Sequence, residues 1–333
     1  MNIVKILLTA NFLTNVRLKN LLPVSKKLFF FENNFFQKRI YNTINSERNY
    51  YHVKKEDLCS NVIIIPLYKD NYAYIFYDNK NEGIAVDPND YKIINEIAEK
   101  ENITIKNVLC THKHSDHNSG NHFFYNKKIN VYGIKESDNK YINKNIQNKQ
   151  NVQNMQNVHH FEIKNFKITT FLSNFHCINH VAYLVEHSKN KLKKLFFTGD
   201  FLFICGIGKN FQADSKDLYN SINNLKKLDK GNIYIFCGHE YTLDNVKFAL
   251  TVDPTNHKLT EFYQRLLKNE NNLPTVPSLL EEEYSYNPFL RCDQDENIKN
   301  AIHTYAKRNN YVIERNSDYI TLLRIMKDNF KIQ

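Results

Sequence analysis

The chain has 333 residues, 42% hydrophobic and 13% aromatic, enough to bury a sizeable core and to form two or more domains. Net charge is +10, but residues 1–57 hold ten Lys/Arg against four Asp/Glu, so the other 276 residues carry only +4 and give no basic stripe for nucleic acid. The six cysteines (Cys59, Cys110, Cys177, Cys205, Cys237 and Cys292) stand singly with no CxxC pair, which excludes a disulfide framework and points to a reducing compartment.

The first 57 residues read as a leader. A short apolar run from Ile3 to Leu13 is followed by Arg17, Lys19, Lys26, Lys27, Lys38 and Arg39 with few acids. That order matches a signal h-region ahead of a basic transit stretch, and the run is too short to span a membrane stably. It suits a plastid of the apicoplast kind reached through the secretory route, with a mitochondrion as the second choice and cytoplasm if the leader is inactive.

A folded domain is expected over 58–245. Val62–Leu67 and Tyr72–Tyr77 read as a hairpin turning at Asp70-Asn71, and Gly83–Val86 as a third strand stopped by Asp87-Pro88. Tyr91–Lys100 has helical spacing at Ile93, Ile94, Ile97 and Ala98. Val108-Leu109 is a short strand. Residues 138–157, rich in Asn, Gln and Lys, read as a low-complexity surface insertion. Strands resume at Phe161–Ile163, Phe166–Leu172, Val181–Val185, Lys194–Phe197 and Ile233–Phe236, with a helix over Asp217–Leu228. From 246 to 333 the pattern turns helical, at Val246–Leu250, Leu259–Leu267 and Glu296–Lys307. Strands alternating with helices predict an α/β architecture with a C-terminal helical domain.

The chemistry concentrates in Thr111-His112-Lys113-His114-Ser115-Asp116-His117, directly after an apolar strand. Side chains at i, i+2 and i+4 of extended chain share a face, so His112, His114 and Asp116 point together, and a turn brings in His117. Three imidazoles and a carboxylate in six positions suit zinc, iron or manganese rather than calcium or magnesium. Later strands repeat the grammar: His176 follows Ile168–Leu172, Asp200 follows Leu195–Phe197, and His239 follows Ile233–Phe236. Strand ends on one rim of a sheet are where α/β sites are built. His52, His122, His159, His160, His180, His187, His257 and His303 are expected to be structural or solvent-exposed.

The run Thr-His-x-His-x-Asp-His, followed in order by His176, Asp200 and His239, resembles the metallo-β-lactamase superfamily. Asp70-Asn71-Tyr72, Val86-Asp87-Pro88, Phe197-Thr198-Gly199-Asp200, Gly206-Ile207-Gly208-Lys209, Cys237-Gly238-His239-Glu240-Tyr241-Thr242 and Tyr286-Asn287-Pro288-Phe289-Leu290-Arg291 are similar to one of its families, glyoxalase II (hydroxyacylglutathione hydrolase). The resemblance covers about residues 60–330.

It implies an αβ/βα sandwich followed by a helical domain that completes the substrate pocket. It implies two divalent metals, zinc foremost with iron or manganese as alternatives. His112, His114 and His176 would hold one metal, Asp116, His117 and His239 the other, and Asp200 would bridge. Asp116 would also orient the attacking hydroxide. The implied substrate is a glutathione thioester, S-D-lactoylglutathione, cleaved by a metal-bridged hydroxide to glutathione and D-lactate. Substrate contacts would fall to Lys209, Tyr241 and Arg291, with backbone help at Asn210, Phe211 and Glu240. Two positions depart from the family: Phe211 stands where a Tyr is common, and Cys292-Asp293-Gln294-Asp295 follows Arg291 where a second basic residue is usual. The expected assembly is a monomer or weak dimer with no nucleic-acid partner. The rivals on the same scaffold are a persulfide dioxygenase with one iron, which would need only two histidines and one carboxylate, and another hydrolase of the superfamily such as a nuclease.

Overall fold

The structure is a computed structural model that describes residues 40–45, 48–53, 58–146, 159–211, 215–269 and 272–331. Two sheets form its centre. The first runs in chain order: β1 (Ile40–Asn45), β2 (Arg48–Val53), β3 (Asn61–Leu67), β4 (Asn71–Tyr77), β5 (Gly83–Val86), β6 (Ile105–Leu109), β7 (Asn130–Gly133) and β8 (Lys144–Asn145). The second takes β9 (His160–Ile163), β10 (Phe166–Leu172), β11 (Val181–His187), β12 (Lys194–Gly199), β15 (Ile233–Cys237) and β16 (Ser278–Leu279) in the order β16-β15-β12-β11-β10-β9. A ribbon of β13 (Leu202–Phe203) and β14 (Gly206–Ile207) stands apart.

Alternation along β3 divides the core. Val62 and Ile64 face the second sheet, packed with Ile168, Tyr183, Phe196 and Ile235. Ile63 and Ile65 face outward, under Ile94, Ile97 and Ala98 of α1 (Tyr91–Lys100) and Phe124 of α3 (Asn121–Asn126). Period-two side chains thus let one strand serve two layers. Phe76 stacks on Phe197 across the sandwich, centroids 5.2 Å apart. On the far side lies α4 (Ser215–Leu225), whose Leu218, Ile222 and Leu225 belong to the same hydrophobic cluster as the second sheet. The layers run helix, sheet, sheet, helix, as the sandwich reading expects.

Parallel pairing needs crossovers. β5 and β6 pair in parallel around α1, which Asp90 caps by accepting from the Lys92 and Ile93 amides at 3.1 and 3.2 Å. β12 and β15 pair in parallel around α4. The rest is helical: α5 (Thr242–Val252), α6 (His257–Leu267), α7 (Leu280–Tyr286), α8 (Glu296–Arg308) and α9 (Asn316–Asn329). No helix of the described residues is long and apolar enough to cross a membrane.

Three sequence boundaries shift. The sheet reaches into the leader expected over residues 1–57, because β2 pairs with β3 and buries Tyr50, Tyr51 and Val53; residues 1–39, 46–47 and 54–57 of that segment lie outside those described. The segment from 138 is not all surface. Ile142 and Ile146 are core residues, Asn139 is buried, and Lys144-Asn145 pairs with β7, while residues 147–158 lie outside those described. The 245/246 boundary falls inside α5, and β16, from the C-terminal part, pairs with β15.

Candidate metal centre

β6 ends at Leu109 and the chain carries His112 and His114 out from its tip; the one-turn α2 (Ser115–Asn118) then presents Asp116 and His117. His176 lies on the loop between β10 and β11. Asp200 and His239 follow neighbouring parallel strands, and the register Gly199↔Cys237 sets them side by side. Gly199 sits at φ +49°, where a Cβ would come within 2.8 Å of His180 Nε2.

All seven side chains meet at one rim. His114 Nδ1 lies 3.1 Å from His112 Nε2 and 2.9 Å from His176 Nε2. His117 Nε2 lies 3.2 Å from His239 Nε2, and Asp116 Oδ2 stands 3.4 and 3.3 Å from these two nitrogens. Asp200 lies between the groups: its Oδ1 is 3.3 Å from His117 Nε2 and its Oδ2 is 3.5 Å from both His176 Nε2 and His239 Nε2. Ligand atoms of His112, His176 and Asp200 fall within 4.8 Å of one another, as do those of Asp116, His117 and His239.

The far side of each ring says what the near side offers. His117 Nδ1–H donates to Asp87 Oδ2 at 3.0 Å, His239 Nδ1–H to Asp70 Oδ1 at 2.9 Å, and His176 Nδ1–H to the Lys209 carbonyl at 3.0 Å. Thr111 gives its hydroxyl proton to Asp87 at 2.6 Å, so it accepts from His112 Nδ1 at 3.0 Å. In the neutral rings these partners keep the proton on Nδ1 and leave the Nε2 of His112, His117, His176 and His239 as a lone pair. Lone pairs about 3 Å apart repel unless a cation or a proton lies among them. Burial holds His112, His114 and His176 below the ordinary histidine range. Burial also opposes charge on His239, but hydrogen bonds to Asp116 and Asp200 outweigh it and raise that ring to about 9. Hydrogen bonds from His117 and His239 hold Asp116 ionised; burial works against charge on Asp200, and the same two rings overcome it. Anions plus imidazole lone pairs fit divalent zinc, iron or manganese.

Around this centre, Phe211 is 58% exposed, with its ring edge-on to His114 and His176 at 5.9 and 5.2 Å. The exposed Lys209 lays its ammonium 5.5 Å from the Phe211 ring. Tyr241 stacks on His239 at 4.8 Å with an interplanar angle of 6°. Asn210 follows Lys209 at half-buried depth. Two expected backbone contacts are otherwise engaged. The Phe211 amide donates to His176 O at 3.3 Å and the Glu240 amide to Asp70 O at 2.8 Å, so neither is free to hold a substrate. Arg291 is also committed: Nη1 donates to Asp253 Oδ2 at 2.6 Å and Nη2 to Asp295. Its charge is neutralised by these two carboxylates.

The sequence reading assigns no role to the residues that orient the ligands. Asp70 and Asp87 look like turn formers, yet each carboxylate fixes a ligand ring. Asn71 Nδ2 donates to Asp116 Oδ2 at 3.1 Å. His180, four residues from His176, is fully buried, and its Nε2 accepts from the Asp200 amide at 3.1 Å. The i+4 spacing of His176 and His180 is the signal for it.

The fold and this centre define a protein of the metallo-β-lactamase superfamily: residues 83–239 match that superfamily, and residues 240–330 match the hydroxyacylglutathione hydrolase C-terminus. Among curated relatives, hydroxyacylglutathione hydrolase of Dictyostelium discoideum is 35% identical over 79% of this chain and 97% of its own length. The cytoplasmic hydroxyacylglutathione hydrolase of Arabidopsis thaliana is 35% identical over 70% of this chain and 88% of its own length. That of Nitrosomonas europaea is 32% identical over 72% and 87%. The chain belongs to the hydroxyacylglutathione hydrolase (glyoxalase II) family.

Proposed function

We propose that this protein hydrolyses S-(2-hydroxyacyl)glutathione thioesters, S-D-lactoylglutathione in particular, to glutathione and the 2-hydroxy acid, with two zinc ions bound at the rim. The observation that carries this reading is the convergence of seven ligand-type side chains, with the Nε2 atoms of His112, His117, His176 and His239 and the Nδ1 of His114 facing the centre. His112, His114 and His176 would hold one ion, Asp116, His117 and His239 the other, with Asp200 between them.

Bound there, the ions supply Lewis acidity to the thioester carbonyl and lower the pKa of a water molecule. The protein's own groups do the rest. Asp116, with 42% of its side chain exposed, reaches the His117 and His239 rings from the solvent side and orients the attacking water. Asp70 and Asp87 keep the rings in place, so no reorganisation is needed during the reaction. The water oxygen bonds to the acyl carbon, the C–S bond breaks, and the departing sulfur ends with the proton the water gave up. Lys209 offers positive charge to a glutathione carboxylate. Tyr241 and Phe211 form the walls, and Phe211 presents an apolar edge with no hydroxyl.

The test is hydrolysis of S-D-lactoylglutathione by the purified full chain, with metal content measured on the same sample. Turnover with two metals per chain, lost in Asp200→Asn, supports the reading. One iron per chain with oxygen uptake on a glutathione persulfide would overturn it. The basic N-terminal segment supports a further proposal, delivery to an organelle of the plastid type. Residues 1–57 fused to a fluorescent protein should leave the cytosol, and a diffuse cytosolic signal would refute that.

A further inference from the structure

The turn between β3 and β4 carries a residue that folding alone does not explain. Leu67 pairs with Asn71, so Tyr68, Lys69 and Asp70 form the loop, and Tyr68 takes φ +50°. That left-handed conformation suits Gly or Asn; for a bulky side chain it is strained. Among the described residues, Tyr68 is the one aromatic with positive φ. It is 67% exposed and so buries too little area to offset the strain. Strain of this kind collects where function needs a side chain held in place.

The loop is fastened to the metal centre on the side of Asp116. Asp70 Oδ1 holds His239 at 2.9 Å, Asn71 Nδ2 donates to Asp116 Oδ2 at 3.1 Å, and the Asp70 carbonyl accepts the Glu240 amide at 2.8 Å. Tyr68 stands two residues before Asp70, with acids of the same rim around its ring. Partial burial first, and then the carboxylates of Asp90 and Asp116, hold its hydroxyl above the ordinary tyrosine range. Asp90 follows β5 and Asp116 follows β6, so both belong to the rim that carries the ligands. Across the centre the exposed Phe211 stands against His114 and His176, with Lys209 beside it. Two exposed aromatic rings therefore flank the opening, Phe211 at one half and Tyr68 at the other.

The carbonyl carbon of a thioester bears two substituents that diverge. Glutathione held at Lys209 and Phe211 takes up one direction. The acyl substituent extends in the other, over Asp116 toward the β3–β4 turn. We propose that Tyr68 is a specificity-determining residue that receives this acyl substituent against its ring, raising activity on aryl-bearing 2-hydroxyacyl groups relative to the small lactoyl group. The proposal rests on the thioesterase reading above and assigns the part of the substrate which that reading leaves without a contact. Two aromatic rings attract beyond the area they bury, whereas a methyl group gains little from the same wall.

The purified full chain, Tyr68→Gly and Tyr68→Phe are compared on S-D-mandeloylglutathione and S-D-lactoylglutathione. The ratio of kcat/KM, mandeloyl over lactoyl, should fall at least about threefold in Tyr68→Gly, the scale of one aromatic pair. It should hold in Tyr68→Phe, which keeps the ring. Tyr68→Gly should melt no lower than the native sequence, because glycine takes a positive φ without strain. A ratio unmoved in Tyr68→Gly, or rates lost equally on both thioesters, would overturn the role of Tyr68 and leave the thioesterase standing. A clearly lowered melting temperature in Tyr68→Gly would also overturn it, by making the ring a packing element. If the native chain hydrolyses neither thioester, the thioesterase reading fails and takes this proposal with it.

Discussion

Asp87 grips His117 from behind: its Oδ2 accepts the ring Nδ1–H at 3.0 Å with both side chains buried. The same carboxylate accepts the Thr111 amide at 2.8 Å and the Thr111 hydroxyl at 2.6 Å, and Thr111 in turn holds His112. One residue therefore orients a ligand in each half of the centre. Asp87→Asn should keep the fold and weaken metal binding about 10–100-fold, the usual cost of losing a partner behind a ligand. Competition with a coloured chelator measures it, and unchanged affinity would show that Asp87 serves only the backbone.

Space matters as much as chemistry at the tips of β12 and β15. A Cβ on Gly238 would overlap Asp200 Oδ1 and stand 2.8 Å from His117 Cε1. Gly231 faces almost open space, its nearest neighbour being Glu281 Oε2 at 3.8 Å. Gly238→Ala should therefore lower metal content per chain and cut turnover at least about tenfold, while Gly231→Ala leaves both within experimental error. Equal behaviour of the two variants would contradict the crowded geometry described for the centre.

The seven side chains that converge at the rim were legible because they follow apolar runs, and such runs mark their own strands. The parts that escape are those whose meaning lies in distant contacts. Asp87 precedes Pro88 and reads as a strand stop, but its partner His117 is 30 residues away. Asp70 reads as a turn, but it holds His239 across 169 residues. β1 and β2 are polar and Asn-rich and become strands only because β3 offers an edge. α7 carries three consecutive glutamates, Glu281 to Glu283, and lacks the look of a core helix, yet Glu283 is fully buried. Arg291 matches a family motif in sequence, while Asp253, 38 residues earlier, decides what its guanidinium touches.

Glu283 gives the fold a pH dependence. It receives Ser278 Oγ at 2.7 Å, Tyr286 OH at 2.9 Å, the Cys205 amide at 2.8 Å and Asn287 Nδ2 at 3.1 Å. Burial nevertheless dominates and raises its carboxyl from 4.5 to about 7. The folded chain then binds more protons than the unfolded chain between these values, so stability falls as pH rises from about 4.5 to about 7 and is flat beyond. The loss is on the order of 3 kcal/mol, since every tenfold difference in proton affinity between folded and unfolded chain is worth about 1.4 kcal/mol. Thermal melts from about pH 5 to about pH 8 should show this decline in the native sequence and its disappearance in Glu283→Gln. An identical slope in both would place the titrating group elsewhere.

Arg291 distinguishes a substrate clamp from a structural one. Its guanidinium joins the buried Asp253 to Asp295 at the start of α8, and its own side chain is only 19% exposed. Asp253 has 2% of its side chain exposed, so truncating Arg291 strands a carboxylate away from water. Arg291→Ala should therefore cost about 3 kcal/mol or more, seen as a lowered urea midpoint, with KM for the glutathione thioester little changed at a temperature where the variant is folded. Arg291→Ala paired with Asp253→Asn should recover part of the loss, because the stranded charge is gone. A raised KM with an unaltered urea midpoint would mean instead that the guanidinium leaves its two carboxylates to meet the substrate.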